Sequence, residues 1–178
     1  MSFEEKTIES DVIYKGQILT LRKDKVHVRD GKTAYREIIE HRGAVAILPI
    51  TNEGKVILVE QYRKAAEKSL IEIPAGKMEG GEDPLETAKR ELEEETGYQA
   101  ENIEFMTKIY PAVGYSGEKI YIYRATGLKK GKTNFDEDED IETIEMPIEE
   151  ITKLVLAGKI EDSKTIIAIL MEREKQCM

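Results

Sequence analysis

One cysteine, Cys177, stands among the 178 residues. No disulfide can close within a single chain, so a reducing compartment is expected. Histidine is scarce too. His27 and His41 have no ligand-type spacing around them, which excludes an ordinary zinc site. Positive charge is in deficit, with 27 Lys and Arg against 36 Asp and Glu for a net charge of −9. Nucleic-acid binding needs basic surface to replace counterions, so that function class is excluded. A phosphorylated small molecule bound through metal ions is not. No apolar run approaches the ~18 residues that cross a membrane. The opening MSFEEKTIES is polar and acidic, unlike a signal or transit peptide. The expectation is a cytoplasmic protein with neither a membrane nor a nucleic-acid partner.

What is present is a composition that can bury a core, 40% apolar and 35% charged. There is no internal repeat and no long low-complexity linker. QILTLRKDKVHV and TAYREIIEHRG read as strands joined by a turn at Asp30-Gly31-Lys32. AVAILPI (44–50) and KVILVEQ (55–61) are rich in β-branched residues, and LIEIPAG (70–76) reads as a short strand stopped by Pro74. EKIYIYRATG (118–127) alternates, with Ile120, Ile122 and Arg124 on one face and Tyr121, Tyr123 and Ala125 on the other. IEEITKLVLAG and TIIAILMEREKQ read as helices. Strands and helices that do not alternate regularly predict an α+β fold or an α/β sandwich, not a doubly wound sheet.

The stretch GKMEGGEDPLETAKRELEEETGY, residues 76–98, crowds eight acidic side chains against three basic ones. Asp83 suits an N-cap, Pro84 the first helical position, and Gly97 the C-terminal stop, with Glu86 completing an Asp-x-x-Glu box. Leu85, Ala88, Leu92 and Thr96 form the stripe that faces the core. Glu91, Glu94 and Glu95, at i, i+3 and i+4, share a neighbouring face, and Glu95 lies only roughly 20° around from Ala88. Carboxylates at a core boundary repel and raise one another's pKa, and a cation relieves that. Oxygen-only donors suit Mg²⁺ or Mn²⁺. Glu86 and Glu94, each four residues from Arg90, are its expected partners. The plain alternative is a solvated acidic helix.

Read by spacing, the stretch gives Gly76, five residues, Glu82, seven residues, then Arg90-Glu91-Leu92-Glu93-Glu94-Glu95-Thr96-Gly97-Tyr98. This resembles the Nudix box, G-x5-E-x7-R-E-U-x-E-E-x-G-U, with every fixed position met and Tyr98 at the final apolar one. The resemblance implies a Nudix α/β/α sandwich with a mixed sheet, and hydrolysis of a nucleoside diphosphate linked to another moiety. It makes Glu91, Glu94 and Glu95 metal-binding and catalytic acids, with the Ala75 carbonyl as a further metal ligand. It makes Gly76, Glu82, Arg90 and Gly97 the structural frame of the box.

YREIIEHRGAVAILPI, VILVEQYR, EIPAGKMEGGE, DEDEDIE and LAGKIEDSKTIIAI extend the resemblance to the ADP-ribose pyrophosphatase group of that family over nearly the whole chain. It implies two parts. Residues 1–42 form antiparallel strands for dimerisation and part of the substrate site, and residues 43–178 form the Nudix domain. It further implies a homodimer, Mg²⁺ or Mn²⁺ as cofactor, and a nucleotide sugar as substrate. Arg36, Glu37, Arg63 and Glu118 would bind that substrate. Glu139 would be the catalytic base, with Glu137 second to it. FDEDEDIE fails as an EF-hand loop, since Ile141 falls where glycine is needed and Pro147 where glutamate is needed. The group often carries Ser-Pro-Gly where this chain has Ala112-Val113-Gly114. The alternatives are a Nudix hydrolase of another nucleotide sugar or dinucleotide, and a non-catalytic nucleotide-binding Nudix domain. A Nudix-fold isopentenyl diphosphate isomerase needs a catalytic cysteine, and Cys177 stands beyond the expected core.

Overall fold

The computed structural model describes residues 3–131 and 141–177. The chain divides into two compact units, Met1–Gly43 with Tyr110–Lys119, and Ala44–Ile109 with Ile120–Met178.

In the first unit β1 (Thr7–Lys15), β2 (Leu19–His27) and β3 (Thr33–His41) form an antiparallel sheet in that order. The β2–β3 turn holds Asp30 and Gly31 at φ 63° and 71°, left-handed values that Gly and Asp accept more readily than most residues. β1 is a strand that the sequence pattern does not announce. Asp24 on β2 is buried, and its carboxylate accepts from Ser10 Oγ at 2.6 Å and pairs with Arg22. Those bonds, Ser10 first, hold its pKa below the usual carboxylate value against the burial that pushes it up. The segment Tyr110–Lys119 hooks onto β3, where Ile39 N–H donates to Tyr115 O at 2.7 Å and Gly117 N–H to Ile39 O at 3.0 Å.

The second unit contains β4 (Ala44–Pro49), β5 (Lys55–Arg63), β6 (Lys68–Glu72), β7 (Ala75–Lys77), α1 (Pro84–Thr96), β8 (Tyr98–Ile109), β9 (Ile120–Lys130), β10 (Ile141–Pro147), α2 (Ile148–Leu156) and α3 (Ser163–Cys177). One sheet runs β7-β4-β9-β8 and another β10-β5-β6. The β4–β9 pair is parallel and the other pairs are antiparallel, so the four-stranded sheet is mixed. β4 is apolar at successive positions because both its faces are covered. Val45 and Ile47 meet Ala88 and Leu92 of α1, together with Tyr123 and Ala125 of β9. Ala46 and Leu48 join Ile122, Leu58, Ile151 and Ile169 on the opposite side. Each Leu or Ile buried this way contributes about 1.5–3 kcal/mol. Helix, sheet, and then second sheet with helices make the expected α/β/α arrangement. The alternation expected for β9 is borne out, with Ile120 and Ile122 in one core and Tyr121, Tyr123 and Ala125 at the other.

Pro74 acts differently from the simple stop expected of it. β6 ends at Glu72, and pairing resumes at Ala75 in the other sheet. Proline cannot donate to a ladder, which suits the point where the chain changes sheets. Its carbonyl accepts from Ile47 N–H at 2.9 Å. No helix among the described residues is long and apolar enough to cross a membrane.

Candidate functional site

α1 begins as its sequence requires. Asp83 is extended, its carboxylate accepts from Leu85 N–H at 2.9 Å, and Pro84 follows. Gly97 ends the helix at φ 70°, donating to Glu93 O. Glu86 does not close the expected box and does not pair with Arg90. It takes Lys89 Nζ at 2.7 Å, the closer cation on the exposed face.

The buried side of α1 carries Thr87, Ala88, Leu92 and Thr96, and with them two carboxylates. Glu91 is 9% exposed and Glu95 3%. Burying an ionised carboxylate costs several kcal/mol unless it is paired or hydrogen-bonded. Glu95 Oε2 accepts the Ala75 N–H at 2.9 Å. Glu91 Oε1 and Glu94 Oε2 both lie 2.8 Å from Arg90 Nη1. Arg90 also reaches Glu82, through Nε at 3.3 Å and Nη2 at 3.2 Å, and the Lys77 carbonyl at 3.4 Å. One guanidinium therefore ties the glycine loop to the acidic face. Arg90, then Thr87, holds the Glu82 carboxyl at about 2 against an ordinary 4.5. Gly76 is the closest approach. A Cβ there would stand 1.9–2.1 Å from the Glu91 carboxylate atoms, so any larger residue must move that carboxylate or the strand.

Among the described residues, no group of three or more His, Cys, Asp and Glu side chains is already gathered as a metal-binding set. As arranged, Glu91 and Glu94 meet Arg90. The donor chemistry nevertheless fits a hard divalent cation. The available donors are oxygens, two of the carboxylates are buried, and the bare Gly76 backbone cradles one of them. Glu91, Glu94, Glu95 and the Ala75 carbonyl are the oxygen donors that would hold such an ion.

The structure thus brings together Ala75, Gly76, Glu82, Arg90, Glu91, Glu94 and Glu95, with Gly97 closing the helix. Arg63, at the end of β5, instead makes a two-pronged pair with Glu72, Nε to Oε1 and Nη2 to Oε2, both at 2.7 Å. Glu72 is 2% exposed and also pairs with Lys164, which reaches Asp162 at 3.0 Å. Burial pushes Glu72 up most strongly, yet Arg63 and Lys164 together leave its pKa lowered. Neither Glu72 nor Lys164 was expected from the sequence. The available signals were a carboxylate inside the apolar run LIEIP and an N-cap pattern at Asp162-Ser163-Lys164-Thr165.

Arg36, Glu37 and Glu118 belong to the unit of N-terminal strands. Arg36 pairs with Glu5, Nε to Oε2 at 2.8 Å. Glu37 stands opposite Lys23 in the β2–β3 register. Glu118 lies 3.4 Å from His41 Nδ1. Glu137 and Glu139 lie outside the described residues.

Comparison with known proteins adds two family matches. The NUDIX domain model matches residues 40–168. The Nucleoside diphosphate sugar hydrolase N-terminal domain model matches residues 5–39. A methanol dehydrogenase activator from Bacillus methanolicus is 48% identical over 94% of this chain and 91% of its own length. An ADP-ribose pyrophosphatase from Bacillus subtilis is 42% identical, covering 99% of this chain and 97% of its own. A GDP-mannose pyrophosphatase from Yersinia enterocolitica is 29% identical over 95% of each. A crystal structure of an ADP compounds hydrolase superposes with a TM-score of 0.86 at 23% identity, covering 98% of this chain and 95% of that one, and shares the fold.

Proposed function

The chain belongs to the Nudix family, and on that basis we propose that it hydrolyses the diphosphate of ADP-ribose or a related nucleoside diphosphate sugar. The products are AMP and a sugar phosphate, ribose 5-phosphate in the case of ADP-ribose. The observation that carries the reading is the pair of buried carboxylates, Glu91 and Glu95, set one turn apart against Gly76 and Ala75. The names and near-complete coverage of the pyrophosphatase relatives support the substrate class. The match to a nucleoside diphosphate sugar hydrolase N-terminal domain supports it too.

Mg²⁺, or Mn²⁺, is proposed as the cofactor, held by Glu91, Glu94, Glu95 and the Ala75 carbonyl. When bound, it neutralises the diphosphate and lowers the pKa of a water. Arg90 and Glu82 keep the glycine loop against the helix. Arg63, oriented by its fork to Glu72 and 40% exposed, is preorganised to meet a phosphate. Arg36, Glu37 and Glu118 are proposed to bind the nucleotide sugar. Glu139 is proposed to take the proton of the attacking water, with Glu137 in second place. The working form is proposed to be a cytoplasmic homodimer joined through residues 1–42. β1 supports this, because it exposes Ile8, Val12, Ile13 and Tyr14.

The test is a panel of ADP-ribose, GDP-mannose, other nucleotide sugars and a dinucleotide, assayed with Mg²⁺ or Mn²⁺ and with products identified. AMP and ribose 5-phosphate from ADP-ribose are expected. Glu95→Gln should lose at least ~10²-fold in turnover and keep its fold, and Glu139→Gln should lose about 10²-fold in kcat, the usual scale for a general base. Glu137→Gln should stay nearer wild type. Binding of ADP-ribose without AMP release under either metal would support the non-catalytic reading instead. A second reading, activation of a partner dehydrogenase, is favoured by the relative at 48% identity. It is checked by assaying a purified methanol dehydrogenase with and without this protein.

A further inference from the structure

We propose that the first turn of α3 acts on the candidate metal site through Thr165 and Lys164 as positioning residues. The inference rests on the reading of Ala75 and Glu95 as metal-holding groups. Four consecutive residues where β6 passes into β7, Glu72 to Ala75, are each fastened. The Glu72 carboxylate is gripped by Arg63 and Lys164. The Ile73 N–H donates to Thr165 Oγ1 at 2.8 Å, both residues being fully buried. The Pro74 carbonyl accepts from Ile47 N–H, and the Ala75 N–H donates to Glu95 Oε2. Thr165 is itself fixed, because its hydroxyl and its N–H both donate to Asp162 Oδ2, at 2.6 and 2.9 Å. Lys164 meets the other oxygen of the same carboxylate. The chain enters the metal site through this segment, so a shift at Ile73 is transmitted two residues on to the bond that orients Glu95. Two buried charged groups and a buried hydroxyl are more than a helix start needs. An Asp cap alone satisfies the first turn. Outer-shell partners of this kind set metal affinity by fixing the ligands.

Thr165→Val keeps the shape of the side chain and removes the acceptor for Ile73 N–H, whereas Thr165→Ser keeps the hydroxyl. Mn²⁺ binding to the substrate-free protein is measured by electron paramagnetic resonance, alongside melting temperature and ADP-ribose turnover. Thr165→Val should weaken Mn²⁺ binding by ~10-fold or more, the scale for losing an outer-shell partner, and Thr165→Ser should restore it to within about 3-fold. Should Thr165→Val fail to fold, Lys164→Met, which leaves Glu72 paired with Arg63, serves the same comparison. Wild-type Mn²⁺ affinity in a folded Thr165→Val or Lys164→Met protein with a lowered melting temperature overturns the inference, because the turn would then be structural only. Glu95→Gln separates the two readings. Lost Mn²⁺ binding in Glu95→Gln with normal binding in Thr165→Val defeats the positioning role alone. Normal binding in Glu95→Gln defeats the metal-site reading on which it rests.

Discussion

Gly76 has no room for a side chain, because the Glu91 carboxylate fills the place where one would go. Gly76→Ala must displace either β7 or Glu91. We expect a stability loss of about 1–3 kcal/mol, the range for overpacking, read by urea denaturation. A fall in kcat larger than that loss explains should accompany it. Glu82 gives a second prediction. Its folded-state pKa is depressed to about 2 from 4.5, chiefly by Arg90. Its contribution is therefore present above about 4.5 and disappears as pH falls toward 2. Glu82→Gln should lower stability at pH 6 and narrow its gap to wild type as the pH is taken from 4.5 down to 3. A constant gap across that interval would contradict the pairing. Both residues were legible in the sequence because the box fixes them by spacing. Glu86 was misassigned for the same local reason. Spacing offered Arg90 as its partner, and spacing alone does not show that Arg90 is already taken by Glu82, Glu91 and Glu94.

Helix α1 was the most legible element, since cap, first-turn proline and terminal glycine all lie within its own sequence. Its cap predicts that Asp83→Ala costs about 1 kcal/mol, measurable by urea denaturation. Glu86→Gln, which loses only an exposed pair with Lys89, should change stability by less than about 0.5 kcal/mol. The elements that escaped the sequence reading did so for identifiable reasons. β1 is exposed at every position, so no burial pattern is written into TIESDVIYK. β8 is broken by an irregularity between Phe105 and Thr107, which interrupts its alternation. β10 is an edge strand that leaves much of its length in solvent. The fastening of residues 72–75 was invisible for another reason. Glu72 and Lys164 are neighbours only after folding, 92 positions apart in the chain.

At the scale of the whole molecule, the N-terminal strands leave several large apolar side chains exposed. Val12 is 63% exposed and Tyr14 59%. Exposed apolar patches mark interaction surfaces when they are large enough, and a second copy of the chain is the occupant proposed above. Light scattering at micromolar concentration should return about twice the 20.3 kDa chain mass. Val12→Asp combined with Tyr14→Asp should return a folded monomer, since charges on a strand oppose strand pairing. If the doubly substituted chain remains a dimer, the partner surface lies elsewhere.

The parallel pairing of β4 with β9 also sets an order in time. Ala44 is in register with Ile120, and β9 borders both cores that cover β4. A growing chain therefore carries β4, apolar on two faces, until synthesis has passed residue 130. At cellular elongation rates that wait is roughly 4–15 s. During it the strand has no finished surface to cover it, and contacts so distant in sequence also close slowly. β9 then completes the half of the core under α1, while the opposite half still waits for Ile151 of α2 and Ile169 of α3, so a chain truncated or stalled before α3 leaves that face open to aggregation and to chaperone capture.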